Sequence, residues 1–183
     1  MHQISDEDLA AARRGEAQAF RMIYESLAPS VLGYLSGRSV DDPEAITQDV
    51  FLALFRGLPS FGGGPVELRT LTFSIAHARV VDHIRRSVRS PETIQYDPAT
   101  DPRRSISAEA AALESLRHSG IVSVLNQLTD DQRDVLLLRI VADLSLEEVS
   151  RIMNRSLGAT KQLQRRSLIA LRSLVQAEQV AQP

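Results

Sequence analysis

The sequence predicts an all-α fold: two small helical domains joined by a flexible linker, the C-terminal one carrying a helix-turn-helix. Three observations predict it. Apolar residues recur at spacings of three and four along nearly the whole chain, the period of a half-buried helix. No segment alternates apolar and polar residues over a credible strand length. Near the middle, the stretch SVRSPETIQYDPATDPRRSIS is polar and holds Pro91, Pro98 and Pro102, a composition that reads as an extended tether. The expected boundaries are a first domain over 1–90, a linker over 91–107 and a second domain over 108–183, each large enough for a modest core.

Taken in order, Ser5 followed by Asp6, Glu7 and Asp8 is an N-cap with an acidic first turn, and Gly15 closes that short helix. From Glu16, residues Phe20, Ile23, Tyr24, Leu27, Val31, Leu32 and Leu35 give a second helix ending near Gly37, with a kink or break expected at Pro29. Asp42-Pro43 starts a third, proline being suited to a first helical position, and Ile46, Val50, Phe51, Leu54 and Phe55 form its buried stripe. Pro59 and the run Gly62-Gly63-Gly64-Pro65 make a loop. A fourth helix from about Glu67 to Arg89 carries Leu71, Ile75, Val80, Val81 and Ile84. Beyond the tether, helical periodicity returns over 108–128, 130–141, 145–153 and about 157–177.

Composition removes several classes of function. Among 183 residues, 43% are hydrophobic and 24% charged, which is ordinary globular usage and excludes wholesale disorder and collagen-like repeats. The chain has no cysteine, so a disulfide scaffold, a thiol nucleophile and a cysteine-ligated zinc are out. Aromatics are only 4%, with no Trp, so any base-stacking platform is small. No apolar run approaches the roughly 18 residues needed to span a bilayer. The N-terminus lacks the pattern of a signal peptide, and a cytoplasmic protein without membrane insertion is expected. His77 and His83 are six residues apart, share no helix face well and have no third ligand nearby, so no metal site is expected. P-loop, nucleophile-elbow and dinucleotide fingerprints are missing, so neither an enzyme nor a cofactor is expected.

Charge placement says more than the net charge of −2. From Asn154 to Ala177 the bases Arg155, Lys161, Arg165, Arg166 and Arg172 meet no acid, and Ile84–Arg89 holds three arginines and no acid. Asp41, Asp42, Glu44 and Asp49 make one short stretch acidic. Local basic faces on a near-neutral chain suit DNA, and the acidic stretch suits a basic partner. In the segment LSLEEVSRIMNRSLGATKQLQRRSLIALRSL, Ser145 caps a short helix, Asn154-Arg155-Ser156 turns the chain, and Ser156 caps an amphipathic basic helix. This is helix-turn-helix spacing. A basic helix fits the major groove, its N-terminus favours phosphate, and its first turns reach base edges. An ordinary αα-hairpin has the same pattern and stays an alternative on spacing alone.

The run LTDDQRDVLLLRIVADLSLEEVSRIMNRSLGATK resembles region four of extracytoplasmic-function (ECF, group four) sigma factors of the sigma-seventy family. Leu128, Gln132, Arg133, Val135 to Arg139, Leu144, Ser145, Glu147, Glu148, Ser156, Gly158, Lys161 and Arg166 carry the resemblance. The first domain is similar to region two of the same family. PEAITQDVFLALFRGLPSF matches it at Glu44, Gln48, Val50, Phe51, Leu52, Arg56, Leu58, Pro59 and Phe61. LRTLTFSIAHARVVDHIRRSVRS matches it at Arg69, Thr70, Ile75, Ala76, Asp82, His83, Arg85 and Arg86. The resemblance covers essentially the whole chain in order.

It implies a dissociable initiation subunit that binds core RNA polymerase and recognises the −10 and −35 elements of promoter DNA. It also implies an anti-sigma factor as a partner. Glu44, Gln48 and Asp49 would meet the polymerase. Phe61, Phe73, His77, Asp82, Arg85 and Arg86 would face the −10 element, Phe61 or Phe73 stacking on an extruded base that the flexible Gly-rich loop encloses. Arg155, Ser156, Lys161, Gln162, Arg165 and Arg166 would face the −35 element. The tether would let both domains reach separated elements.

The chain departs from the family pattern at DNA-facing positions. Leu71 stands where the family has Trp, Ala78 where it has a −10 asparagine, and Leu163 is apolar one residue early, which predicts a recognition helix turned on its core. Those departures leave one alternative, a sigma-like decoy that binds polymerase or an anti-sigma factor without reading promoters. A free-standing helix-turn-helix regulator is a third and weaker one.

Overall fold

Every regular element of the structure, a computed structural model describing residues 4–89 and 121–181, is helical. Of the helix expected over 108–128, residues 108–120 lie outside the described residues, as does the tether. Helix α1 (Asp6–Arg13) begins in a capping box: Ser5 accepts from the Asp8 backbone while Asp8 reaches back to Ser5, as its acidic first turn led us to expect. α2 (Ala17–Gly37) runs unbroken through Pro29. Pro29 has no N–H for the Glu25 carbonyl, and both residues are exposed, so water can take that acceptor and the helix continues. α3 (Pro43–Gly57) has Asp42 at its N-cap, accepting from Ala45, and proline at its first position. A short 3-10 turn (Leu58–Ser60) leads into the loop before α4 (Pro65–Arg89).

These helices pack because each has an apolar stripe at helical spacing. Ile23, Leu27, Val31 and Leu35 of α2 meet Val50 and Leu54 of α3 and Leu68, Phe73, Ala76 and Val80 of α4, and all are buried. Phe20, Tyr24, Phe51 and Phe55 form an aromatic ladder on the α2–α3 side, with centroids 4.7 to 5.7 Å apart. Phe73 sits edge-on to Tyr34 at 6.0 Å.

The second half holds α5 (Ile121–Asn126), α6 (Asp130–Ile140), α7 (Leu146–Ile152) and α8 (Leu157–Ala181). Thr129 and Ser145 open α6 and α7 with capping boxes closed by Gln132 and Glu148. Six consecutive residues of α6, Arg133 to Leu138, are buried. Such a run passes right round a helix at 3.6 residues per turn, so α6 must be covered on both sides. One cover is α8. The other is α2 of the first half, and α4 likewise meets α7. Buried apolar residues of both halves therefore form one contiguous cluster.

Candidate nucleic-acid interface

The basic helix is positioned by its cap and its stripe. Asn154 takes a left-handed backbone (φ 51°), which turns the chain between α7 and α8, and the Arg155 N–H donates to the Ser150 carbonyl at 2.9 Å. The Ser156 hydroxyl accepts from the Ala159 N–H at 3.2 Å and caps α8. Thr160, Leu163 and Ser167 are buried, the two hydroxyls donating to Ser156 and Leu163 carbonyls within the helix. Leu163, and not Gln164, is thus the anchoring side chain. Lys161, Gln162, Arg165 and Arg166 are all exposed and fall within an arc of about 140° opposite that stripe. An exposed, mostly cationic surface with no acid on it results. Arg155 differs: its guanidinium is paired with Asp131 at the start of α6. Ser156 is exposed but occupied with the cap.

In the first half, the Gly-rich loop is braced. The Arg13 guanidinium donates to the Gly63 carbonyl and lies over the Phe61 ring at 5.7 Å from its centroid. The Gly64 N–H donates to Glu67 Oε2 at 3.0 Å. A Cβ on Gly63 would stand 2.6 Å from the Phe61 ring and 2.7 Å from Glu67 Cβ, so only glycine fits there. The loop expected to be flexible is therefore held from two sides, by Arg13 of α1 and Glu67 of α4, which bond the backbone of Gly63 and Gly64. Phe61 is half-buried.

Phe73 corrects the expectation of a stacking residue. It is fully buried, against Tyr34 and under the Arg69 guanidinium at 5.8 Å, so no base can reach it. It lies on the core side of α4, where Leu68, Ala76 and Val80 also point. His77 is mostly covered, its Nδ1 3.0 Å from the Tyr34 hydroxyl. Asp82, Arg85 and Arg86 are exposed, with Asp82 and Arg85 4.0 Å apart. His83 Nε2 lies 3.3 Å from Asp41 Oδ2, and among the described residues no group of three metal-ligating side chains occurs.

On α3, Glu44, Gln48 and Asp49 are exposed on the face away from Val50, Phe51 and Leu54. Leu52 stands among them and is 52% exposed. The face thus has an apolar centre and an acidic rim, the composition of a protein-docking surface. Leu52 was missed as a site residue. Its signal was legible, since it falls off the stripe of Val50, Phe51, Leu54 and Phe55.

Burial and neighbours tune several charges. Burial pushes the Tyr34 hydroxyl well above 10, and the Asp134 charge and hydrogen bond add to that, with Arg38 opposing. Burial alone would raise the Glu148 carboxyl. Hydrogen bonds from the Thr70 hydroxyl and from Ser145, with Arg151 nearby, hold it below 4.5 instead. Burial lowers Arg69 against the pull of Asp143 and Glu148.

Comparison with known proteins agrees with this geometry. The family description "Sigma-70 region 2" matches residues 23–90, and "Sigma-70, region 4" matches 124–173. The ECF RNA polymerase sigma factor ShbA of Streptomyces griseus is 29% identical over 175 residues, covering 90% of this chain and 92% of that protein. The ECF RNA polymerase sigma factor SigD of Mycobacterium tuberculosis is 29% identical over 185 residues, covering 94% and 84%. The ECF RNA polymerase sigma factor BldN of Streptomyces coelicolor is 28% identical over 166 residues, and the matched part covers 90% of this chain but only 63% of that protein. Among solved structures, CnrH in complex with the cytosolic domain of CnrY aligns with a TM-score of 0.70 at 22% identity, over 95% of this chain and 98% of that one. The sigma factor RpoE of Bartonella quintana, co-crystallised with the anti-sigma factor NepR, aligns at 0.60 and 20%, over 87% and 98%. At these identities the two structures speak to the fold alone. Among the described residues, no helix is long and apolar enough to cross a membrane.

Proposed function

The chain belongs to the sigma-70 family, as a factor of the extracytoplasmic-function kind, and from that premise we propose that it directs promoter-specific transcription initiation by core RNA polymerase. The observation that carries the reading is the cationic face of α8, set opposite a buried stripe in a helix-turn-helix that follows a region-two unit in the same chain. Lys161, Gln162, Arg165 and Arg166 face the −35 element. Arg155 joins them only when it leaves Asp131. Phe61, on its braced loop, stacks on an extruded −10 base, while Asp82, Arg85 and Arg86 lie along the exposed side of α4. Glu44, Gln48, Asp49 and Leu52 dock on polymerase, the acidic rim matching a basic surface and Leu52 supplying the desolvated centre.

The protein acts by binding, and none of its residues is assigned a catalytic role. A cytoplasmic location follows from the polymerase as partner. An anti-sigma factor is a further partner, proposed from the likeness to ECF factors. The test of the docking assignment is co-purification with core polymerase. Wild type should be retained, and the Gln48→Ala, Asp49→Ala double variant should be retained at least about tenfold more weakly at unchanged melting temperature. Equal retention would remove α3 from the polymerase interface.

A further inference from the structure

Helix α1 precedes residues 23–90, the part of the chain that the region-two description matches, yet it is built against the Gly-rich loop. Leu9 and Ala12 bury its inner face, and it packs on α2 and on the 3-10 turn that leads to Phe61. From this anchored helix the half-buried Arg13 side chain crosses to residues fifty positions along the chain. Its Nη2 donates to the Gly63 carbonyl, and its guanidinium lies over the Phe61 ring. Its Nε is buried with no hydrogen-bond partner among the described residues, so this placement does not best satisfy the side chain's own polar groups. Arg14, the next residue, behaves as a surface arginine does: it is exposed and paired with Glu16 at 2.7 Å.

Holding this loop still costs free energy, because glycine loses more backbone freedom on ordering than any other residue and three stand in succession. A loop that ordered only when DNA arrived would subtract that cost from the affinity for DNA, and a loop already fixed avoids it. Arg13 fixes Gly63 from α1, and Glu67 of α4 fixes Gly64. Gly63 in turn abuts the Phe61 ring, since a Cβ there would stand 2.6 Å from Phe61 Cζ and 3.1 Å from Cε2. A fixed Gly63 therefore limits how far the ring can swing. The cation over the ring, 5.7 Å from its centroid, adds a direct attraction in the same sense.

We propose that Arg13 is a positioning residue for −10 recognition, fixing Phe61 and Gly63 in the shape that receives an extruded base. The proposal rests on the stacking role assigned to Phe61 above. Arg13 acts through the ring and the loop rather than by touching DNA, so its loss should remove the advantage a base gives and leave contacts to phosphate as they are. Arg14 carries the same charge one residue away, and its pairing with Glu16 keeps it out of this role.

The test is binding of the full chain, assembled with core polymerase, to the single strand of a −10 element from a promoter it activates. An abasic site is moved along that strand one position at a time. Wild type should lose about fivefold or more in affinity at the position where the extruded base is missing. Phe61→Ala should lose this sensitivity, and Arg13→Ala should lose it too, with no abasic site mattering by more than about twofold. Arg14→Ala removes a cation from the same helix and should keep the wild-type pattern, which separates positioning from general charge. If Arg13→Ala melts lower than wild type, Arg13→Met keeps the aliphatic stem without donor or charge and should give the same loss of sensitivity. A wild-type pattern in the Arg13 variants beside a lost one in Phe61→Ala would overturn the positioning role and leave the stacking role standing. A wild type with no sensitive position would overturn the stacking assigned to Phe61, and the positioning role with it.

Discussion

Replacing Arg165 and Arg166 by alanine removes two exposed cations from the α8 face without touching its buried stripe. Neither has an ion-pair partner among the described residues, so nothing is left uncompensated by their loss. Each phosphate contact releases condensed counterions and contributes about 0.9 to the slope of log affinity against log salt on B-DNA, so the pair contributes about 1.8. Between 50 and 200 mM salt, a fourfold rise, that difference amounts to about twelvefold in affinity. Wild type should therefore lose about twelve times more binding over this range than the variant. The assay is fluorescence anisotropy of a promoter duplex with holoenzyme at four or five salt concentrations. Melting temperature should hold, since exposed substitutions of this kind stay within about 0.5 kcal/mol. Arg155→Ala is the internal comparison. Its guanidinium is already paired with Asp131, so its effect on the slope should be smaller than that of either helix arginine. Parallel salt lines for wild type and the double variant would refute the placement of α8 on phosphate.

Four further outcomes follow from the same geometry. Phe61→Ala should weaken binding of a −10 single strand by about 1–3 kcal/mol at unchanged melting temperature. Phe73→Ala should destabilise the fold by about 3–5 kcal/mol, and the two aromatics would exchange roles if thermal denaturation showed the reverse. Arg13→Ala should lower −10 binding as well, through a loop no longer held at Gly63, and limited proteolysis should cut residues 61–64 faster than in wild type. Equal cutting would mean that the brace is dispensable. Acidification should destabilise the fold through Glu148. Its folded value lies below 4.5, so its contribution is complete above that pH and is lost as pH falls through the lowered value. A Glu148→Gln variant should show a flatter acid limb than wild type in a melting-temperature profile, and superimposable limbs would refute the linkage.

Much of the fold was legible because its signals are local. Ser5, Asp42, Ser145 and Ser156 cap where a short polar side chain precedes an apolar stripe, and each helix start followed from that. Pro29 does not break α2, since the cost of its missing N–H depends on whether water reaches the Glu25 carbonyl, which is a tertiary fact. The cationic face of α8 was readable from acid-free spacing, while the burial of Phe73 was not, because an aromatic on an amphipathic helix looks the same from either side. The packing of one half on the other did leave a trace. Val135-Leu136-Leu137-Leu138 is too continuous for a helix with one dry face, and Gly33 and Gly37 are costly unless something approaches closely. Neither clue names its partner, so the joint core emerges only when α2 and α6 are seen together.

Initiation itself is tested most directly by run-off transcription on whole genomic DNA, comparing core polymerase with and without the protein and sequencing the 5′ ends. New starts that share an upstream two-box motif are expected, and the Arg165→Ala, Arg166→Ala variant should lose those starts first as salt rises. An unchanged set of 5′ ends, with binding to core polymerase shown in the same tubes, would rule out promoter-specific initiation by this protein.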